Sequence, residues 1–411
     1  MNILLIHQYA GNKGDRAVVF AICRLIKHID PDCEITISTS SPELWEHERY
    51  YQDNNISFIP YSWNFSEECK HWYWSILRRF RKYTFTLLRN IFMFFGKSYF
   101  ARFFINPVFL RHLRYADKVI SVGGHHFTTL LSRDIVSSVN YDAMSTLTQS
   151  KELACFSQTF GPFHFVNNRN CYLTRKILAS CSHLFVRDST SVNELQRLGV
   201  PNDNIKETFE SVLSLNSLIK DYSEPSKRLK RVGISIYATQ KRTDSEHISY
   251  VKTFSHICDY LANQGYEVCF FPMEIRGTEP DDRPLIREIL SHVKIEGRCF
   301  IYDDDLTTED HLAEVSRCRF YIGHKTHSCI FALLTGTPLL GLAYHPKTLC
   351  FMQQFECSEF CINDCDFNVN DVIDIISSME NDLDQIGYRL FTKAQYYSSV
   401  IEHDFQTILK F

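Results

Sequence analysis

"NILLIHQYAGNKGDRAVVFAICRLIKHI", residues 2–29, passes in one turn from strand to helix. Ile3, Leu4, Leu5 and Ile6 form the unbroken apolar run of a strand buried on both faces, and the segment after Asp15 is an amphipathic run ending near Ile29. Between them lies Gly11-Asn12-Lys13-Gly14-Asp15. A glycine-rich turn leading into a helix leaves backbone N–H groups pointing outward, which is a natural seat for phosphate. The turn has neither Gly-x-Gly-x-x-Gly nor Gly-x-x-x-x-Gly-Lys-Ser/Thr, so it carries neither a dinucleotide nor a triphosphate fingerprint. Asp15 would aim a carboxylate where a phosphate should sit; its plainer reading is a helix cap.

The same strand-to-helix alternation continues along the chain. "EITIST", "ISFIPY", "KVISVGG", "LACFSQTFG" and "HLFVRDS" read as strands, with helical patterns near 134–150, 167–181 and 189–198. Residues 218–231 turn polar and read as a linker, after which "RVGISIYA", "YEVCFFPM", "CFIYDDD", "RFYIGHK", "LLGLAY" and "EFCIND" restart the pattern. At 411 residues the chain exceeds what one core organises. The reading is α/β, with two doubly wound parallel domains at 1–217 and 232–411 facing a cleft.

Net charge is −4, which argues against a general nucleic-acid binder. That average hides one segment, 69–116, with ten Lys or Arg, fifteen aromatic residues and no acid; the rest of the chain has 34 basic against 48 acidic residues. Arg89, Lys97 and Arg102 interrupt it, so it does not read as a transmembrane span. Mixed rings and bases suit a helix lying at an anionic membrane surface, with Trp72, Trp74, Arg78, Arg79, Arg81 and Lys82 as contacts; the alternative is a hairpin packed on its own domain or on a second subunit. Fifteen cysteines without a Cys-x-x-Cys pair, and no basic stretch leading into an apolar core at the start, read as a cytoplasmic protein with reduced thiols. Cys357, Cys361 and Cys365 lack paired-knuckle spacing, so no metal is expected.

Ligands of open parallel sheets sit beyond the carboxyl ends of the strands. There the sequence puts the first turn, Gly123-Gly124-His125-His126, the Gly161 loop, Arg187-Asp188, Gly323-His324-Lys325-Thr326-His327-Ser328 and Tyr344-His345-Pro346-Lys347. Glycines admit a ligand to the backbone and cations cluster beside them, as a small anion requires.

In order and spacing, "GNKGD", "ISVGG", "SQTFGPF", "VRDSTSVNELQRLGV" and "YIGHKTHSCIFALLTGTPLLGLAYHPKTLCFM" resemble the polysaccharide pyruvyl transferase family over roughly residues 1–355. The resemblance implies two Rossmann-like domains of the GT-B-like kind, the N-terminal one on the acceptor side and the C-terminal one on the donor side. It implies transfer of pyruvate from phosphoenolpyruvate to two hydroxyls of a cell-surface polysaccharide precursor as a ketal, with no cofactor. Carried over, it places Arg187 and Lys325-Thr326-His327 around the donor, with His327 as proton donor and Asp15 accepting from a sugar hydroxyl. Gly11, Asn12, Gly14, Gly123, Gly124, His125, Gly161, Ser328 and Lys347 complete the expected substrate contacts.

Three departures stand out. Lys325 replaces a family arginine, keeping the charge without the fork. Thr128 and Thr129 stand where an aspartate often follows the double glycine, and Thr208-Phe209-Glu210 replaces Gly-x-Asp. Two other functions stay open: a sugar-nucleotide glycosyltransferase, with Glu274 or Glu279 for the ribose, and a catalytically silent membrane-associated assembly protein. Expected partners are phosphoenolpyruvate, a lipid-linked or oligosaccharide acceptor and the anionic inner face of the cell membrane. No nucleic acid is expected, and a homo-oligomer is compatible with the reading.

Overall fold

The apolar run at the start is strand β1 (Asn2–Gln8), and the amphipathic run is helix α1 (Lys13–Ile29), as the opening stretch predicts. The computed structural model describes the chain except residues 9–11, 40–41, 43–44, 46–47, 65–71, 97–98, 131–136, 276–279, 345, 365–366 and 411; the side chains of 72–79, 81–82, 85, 99, 137–138 and 346 also fall outside the description. The chain forms two bodies. One comprises Met1–Ala10, Val18–Ser211 and Val400–Phe411, the other Gly11–Ala17 and Val212–Ser399.

In the first body β1 and α1 lead to β2 (Glu34–Thr39), α2 (Arg49–Asp53), β3 (Ser57–Pro60), α3 (Trp72–Phe95), α4 (Pro107–Tyr115), β4 (Lys118–Gly124), α5 (Ser137–Thr148), β5 (Leu153–Gln158), α6 (Asn168–Ala179), β6 (His183–Val186), α7 (Ser189–Leu198) and β7 (Ile205–Glu207). The strands pair in parallel in the order β3-β2-β1-β4-β5-β6-β7, so the order reverses between β1 and β4. Such a reversal is where open sheets bind ligands. Ile3 to Ile6 are covered on both faces, which is why β1 is apolar without alternation.

The ends of β1 and β5, on either side of β4, are bulged. Register breaks between Leu5 and Gln8 and between Cys155 and Gln158, and His7 (φ 67°) and Ser157 (φ 55°) take left-handed backbone. Neither is glycine, so each conformation costs about 1–3 kcal/mol and needs fixing by its surroundings. His7 Nδ1 lies 2.6 Å from Ser121 Oγ and its Nε2 3.0 Å from the Val139 carbonyl; Ser157 Oγ donates to the Phe209 carbonyl (2.9 Å) and accepts from Ser211 N (2.8 Å).

The basic aromatic segment is α3, a short 3-10 turn at Tyr99–Phe104, and α4. Thr84, Leu88 and Phe92, four residues apart, form the buried stripe of α3. Leu88 and Phe92 enter the core with Phe109, Met144, Leu173 and Ile177, each burial stabilising by about 1.5–3 kcal/mol. Phe80, Tyr83, Leu87, Phe94 and Phe95 of the same helix are exposed. The segment is therefore partly core and partly bare.

The second body contains β8 (Arg231–Ile234), α8 (Asp244–Asn263), β9 (Glu267–Phe270), α9 (Asp282–Ser291), β10 (Cys299–Ile301), α10 (Thr308–Ser316), β11 (Phe320–Gly323), α11 (Thr326–Leu334), β12 (Leu339–Ala343), α12 (Pro346–Gln354), β13 (Cys361–Asn363) and α13 (Val369–Glu380); α14 (Leu383–Leu409) closes the chain. Its strands run β10-β9-β8-β11-β12-β13, again parallel and again reversing after the first strand in sequence.

The bodies do not follow the expected bounds: residues 11–17 and 212–217 group with the second body. The stretch 218–231 does not run free: the guanidinium of Arg228 is buried and donates to Thr337 Oγ1 (2.7 Å) and to the carbonyls of Ser223 (2.9 Å) and Gly336 (3.1 Å). A polar composition concealed one anchoring arginine. The end of α14, from Val400, groups with the first body, where Phe405 meets Phe156 edge-on at 4.9 Å and Asp404 pairs with Lys206 at 2.9 Å.

Candidate functional site

Within the second body, the first turn and the start of α11 are built against each other. Asn12 caps α1, its Oδ1 accepting from Gly14 N at 2.6 Å, so the cap is Asn12 and Asp15 sits in the first turn of the helix. A Cβ added to Gly14 would fall 2.2 Å from Nδ1 of His327. The glycine therefore makes room for the imidazole; Gly11 lies outside the described residues.

The turn is also fastened to the segment after β9. Lys13 N donates to the Met273 carbonyl (3.0 Å), Asn12 and Glu274 form an antiparallel bridge, and Asn12 Nδ2 donates to Glu274 Oε2 (3.0 Å). Asp282, at the start of α9, accepts from Met273 N (2.9 Å) and Glu274 N (2.8 Å), and its Oδ1 lies 3.1 Å from Lys325 Nζ. Asn12, Glu274, Asp282 and Lys325 thus form a continuous polar chain, and Lys325 and His327 stand two residues apart on one helix start. Lys325 occupies the cap position of α11 without a side-chain cap bond.

The charges there are mostly buried and balanced. Arg16 makes a two-pronged pair with Asp305 (2.5 and 3.1 Å), and Lys13 Nζ lies 3.8 Å from the same carboxylate. Burial, with Lys13 and Arg16 adding to it, holds His311 well below the usual imidazole range, so it is neutral. Burial pushes the carboxyl of Glu274 up to about 7; Asp282 and Asp15 push the same way, while Lys325 and the Asn12 bond pull against it. His324 is fully buried between Tyr250 (2.7 Å) and Asp364 (2.8 Å), and burial lowers its pKa.

Other expected contacts lie near the starts of α11 and α12. Ser328 is buried, bonded to Ser235 Oγ (2.5 Å) and the Lys325 carbonyl (2.7 Å), and Thr326 Oγ1 lies 3.1 Å from Thr348 Oγ1. Lys347 is half-buried in the first turn of α12.

In the first body, Gly123, Gly124, His125, Gly161 and Arg187 come together at the ends of β4, β5 and β6. Arg187 Nη2 donates to the Gly124 carbonyl (3.3 Å) and Nε to Thr159 Oγ1 (2.8 Å), while Nη1 pairs with the buried Glu210. Thr159 Oγ1 in turn donates to Asp188 (2.9 Å), which caps α7. His125 contacts the Gly161 carbonyl, and a Cβ on Gly161 (φ 82°) would fall 2.7 Å from Glu194. Each of the three guanidinium nitrogens of Arg187 thus has a protein partner. Glu210 is its counter-ion.

Three buried groups in these clusters were not readable as such from sequence. No motif marks Asp282 or His7, and the sequence suggests Glu274 only for a ribose. Their common signal, a polar residue at or up to a dozen positions beyond the end of an apolar run, is too general to single them out. Cys357 is buried against Met352 and Cys365 lies outside the described residues; among the described residues no group of three His, Cys, Asp or Glu could hold a metal.

Residues 12–346 match the family described as polysaccharide pyruvyl transferase. The amylovoran biosynthesis protein AmsJ of Erwinia amylovora is 20% identical over 380 residues, covering 87% of each chain. Among solved structures, the UDP-GlcNAc 2-epimerase of Neisseria meningitidis, bound to UDP-GlcNAc, is similar at TM-score 0.60 and 10% identity, with 100% of this chain and 99% of that one covered. A putative UDP-N-acetylglucosamine 2-epimerase of Listeria monocytogenes gives TM-score 0.57 at 11% identity, covering 98% and 94%. At such identities the likeness shows the fold, a two-domain α/β architecture of the GT-B-like kind.

Proposed function

The chain belongs to the polysaccharide pyruvyl transferase family, and on that premise we propose that it moves pyruvate from phosphoenolpyruvate to two hydroxyls of a sugar in a polysaccharide precursor. C3 of the donor takes a proton, a sugar hydroxyl oxygen bonds to C2 and gives up its proton, and a second hydroxyl oxygen then displaces phosphate from C2, its own proton leaving with the phosphate. The product is a ketal and inorganic phosphate.

The start of α11 supports this reading most. Lys325 brings a cation to a helix N-terminus that has no side-chain cap, where a phosphate or carboxylate is stabilised by backbone N–H groups and the helix dipole. His327 is two residues on, and imidazole can hold or release a proton near neutral pH. Asp15, in the first turn of α1, is the carboxylate available to take a hydroxyl proton. Arg187 serves this reading by holding the ends of β4, β5 and β6 together through Gly124, Thr159 and Glu210.

Glu274 does not suit the sugar-nucleotide alternative, since it is buried and bonded to Asn12 rather than displayed for a ribose; Glu279 lies outside the described residues. The deciding experiment is phosphate release from phosphoenolpyruvate with lipid-linked oligosaccharide acceptors and no nucleotide sugar present. Release dependent on the acceptor supports the reading. Turnover only with a nucleotide sugar overturns it.

The bare face of α3 favours work at a membrane surface. Among the described residues no helix is long and apolar enough to cross a membrane. Phe80, Tyr83, Leu87, Phe94 and Phe95 are nevertheless exposed on a segment without an acidic residue, and Phe100 and Phe103 follow them. Rings for the acyl boundary and bases for anionic headgroups are what an interfacial helix uses. The side chains of Trp72, Trp74, Arg78, Arg79, Arg81 and Lys82 lie outside the description and lend only their charge and composition.

A further inference from the structure

We propose that Glu274 controls the anion site at the start of α11: a phosphate- or carboxylate-bearing ligand binds beside Lys325 when the Glu274 carboxyl group is uncharged and is lost when that group ionises. This rests on the reading that the donor anion binds at Lys325.

The position of the carboxyl group carries the inference. Glu274 is 2% exposed, one oxygen accepts from Asn12 Nδ2 at 3.0 Å, and the other, Oε1, is buried without a hydrogen-bond partner. A full negative charge with a single neutral donor and an unpaired buried oxygen is strongly disfavoured. The charged groups acting on it come from three elements: Asp15 of α1, Asp282 of α9 and Lys325 ahead of α11. Both acids oppose its ionisation. Lys325 favours it, but that ammonium already lies 3.1 Å from Asp282 and so is partly neutralised.

The consequence for a ligand follows from charge balance. With Glu274 neutral, an incoming anion shares Lys325 with Asp282 alone. Once Glu274 ionises, it competes for the same cation in a setting of low dielectric, where such repulsion is screened poorly. The group's own pKa, raised by burial to about 7, puts this change inside the working range of a cytoplasmic enzyme.

Glu274→Gln separates charge from structure, because the amide oxygen can still accept from Asn12. Phosphoenolpyruvate binding is measured by calorimetry on both proteins at about pH 6 and about pH 8, on either side of the titration. The donor's own phosphate ionises in that range for both proteins alike, so the difference between the proteins is the readout. We expect the wild type to weaken by about tenfold more than Glu274→Gln, the equivalent of roughly one pKa unit of coupling. Parallel profiles overturn the inference and leave the donor reading standing. Absence of binding by both proteins at both pH values overturns the donor reading and this inference with it. Thermal unfolding supplies a ligand-free check: the folded pKa is raised, so wild-type stability must fall relative to Glu274→Gln as pH rises from about 4.5 to 7. Identical pH dependence would show that folding does not raise the pKa of Glu274 and would overturn the inference.

Discussion

Nδ1 of His327 lies where a side chain on residue 14 would have to be: a Cβ built on Gly14 falls 2.2 Å from it, 2.3 Å from Cγ and 2.5 Å from the histidine's own Cβ. The contact reaches the root of the histidine, so rotating the ring does not relieve it. Gly14 is tied by its N–H to Asn12 and cannot retreat freely. The glycine and the histidine therefore form one fitted pair drawn from distant parts of the sequence.

Gly14→Ala should displace His327 and lower turnover by about 100-fold, in the range that one positioned acid–base group contributes, while stability falls by about 1–3 kcal/mol from overpacking. Adding Gly14→Ala to His327→Gly should cost far less than it does in the wild type, because both the ring and the Cβ it would strike are gone. A double-mutant cycle in denaturant unfolding checks this. Additive losses would show that the two residues do not share the space.

Arg187 and Glu210 form a buried ion pair, so removing one partner leaves an uncompensated charge. Arg187→Met should destabilise the protein by about 3–5 kcal/mol, and Arg187→Met with Glu210→Leu should recover most of that loss. Equal instability of the single and double variants in urea would mean that Glu210 finds other donors when the arginine is gone.

The opening turn, the two parallel sheets and the strand-end clusters could be read in the sequence because each rests on local signals: apolar runs, glycines and helical stripes. The alternation of "LACFSQ" with its neighbours is enough to place β5 in a parallel sheet. What could not be read depends on distance. Gly14 looked like an opening for a ligand because nothing near it in sequence shows that His327 fills the gap. Arg187 looked like an anion ligand because Glu210, twenty-three residues later, only becomes its counter-ion once β6 and the segment after β7 are side by side. Arg228 hid in a stretch whose composition suggests a linker. The aromatic segment was legible in composition but not in its division, since burial of Leu88 and Phe92 beside exposed Phe94 and Phe95 is decided by which face of α3 meets the core.

Asp142 should give the first body a pH dependence of its own. It is buried, accepts from Ser62 N at 3.1 Å and from the Ser62 hydroxyl, and burial still pushes its carboxyl up to about 7. Because the folded value lies above the unfolded one, the native state holds the extra proton, and stability falls as pH rises from about 4 to 7 before levelling. Asp142→Asn should remove that fall, so its unfolding midpoint gains on the wild type across this window. A constant difference from about pH 4 to 8 would show that folding does not raise the pKa of Asp142.

The last expectation concerns the bare aromatic face of α3. Phe94 and Phe95 are 73% and 81% exposed, and Phe100 and Phe103 lie just beyond them at 70% and 67%. Water does not favour such a concentration, yet the helix could not have turned this face inward without exposing Leu88 and Phe92. The segment carries ten bases and no acid, and each base near an anionic leaflet adds about 1 kcal/mol of attraction. Rings and charges together suffice for reversible binding, and the electrostatic part must weaken as salt screens it. The protein should co-sediment with vesicles containing phosphatidylserine, less so at high salt, and hardly at all with neutral vesicles. Charge reversal at Arg78, Arg79, Arg81 and Lys82 should release it at low salt, and Phe94→Ser with Phe95→Ser should weaken binding without removing its salt dependence. A subunit interface would behave differently: the same substitutions would change the oligomeric state in analytical ultracentrifugation, and neither vesicle type would bind. Equal binding to neutral and anionic vesicles would assign the attraction to the rings alone.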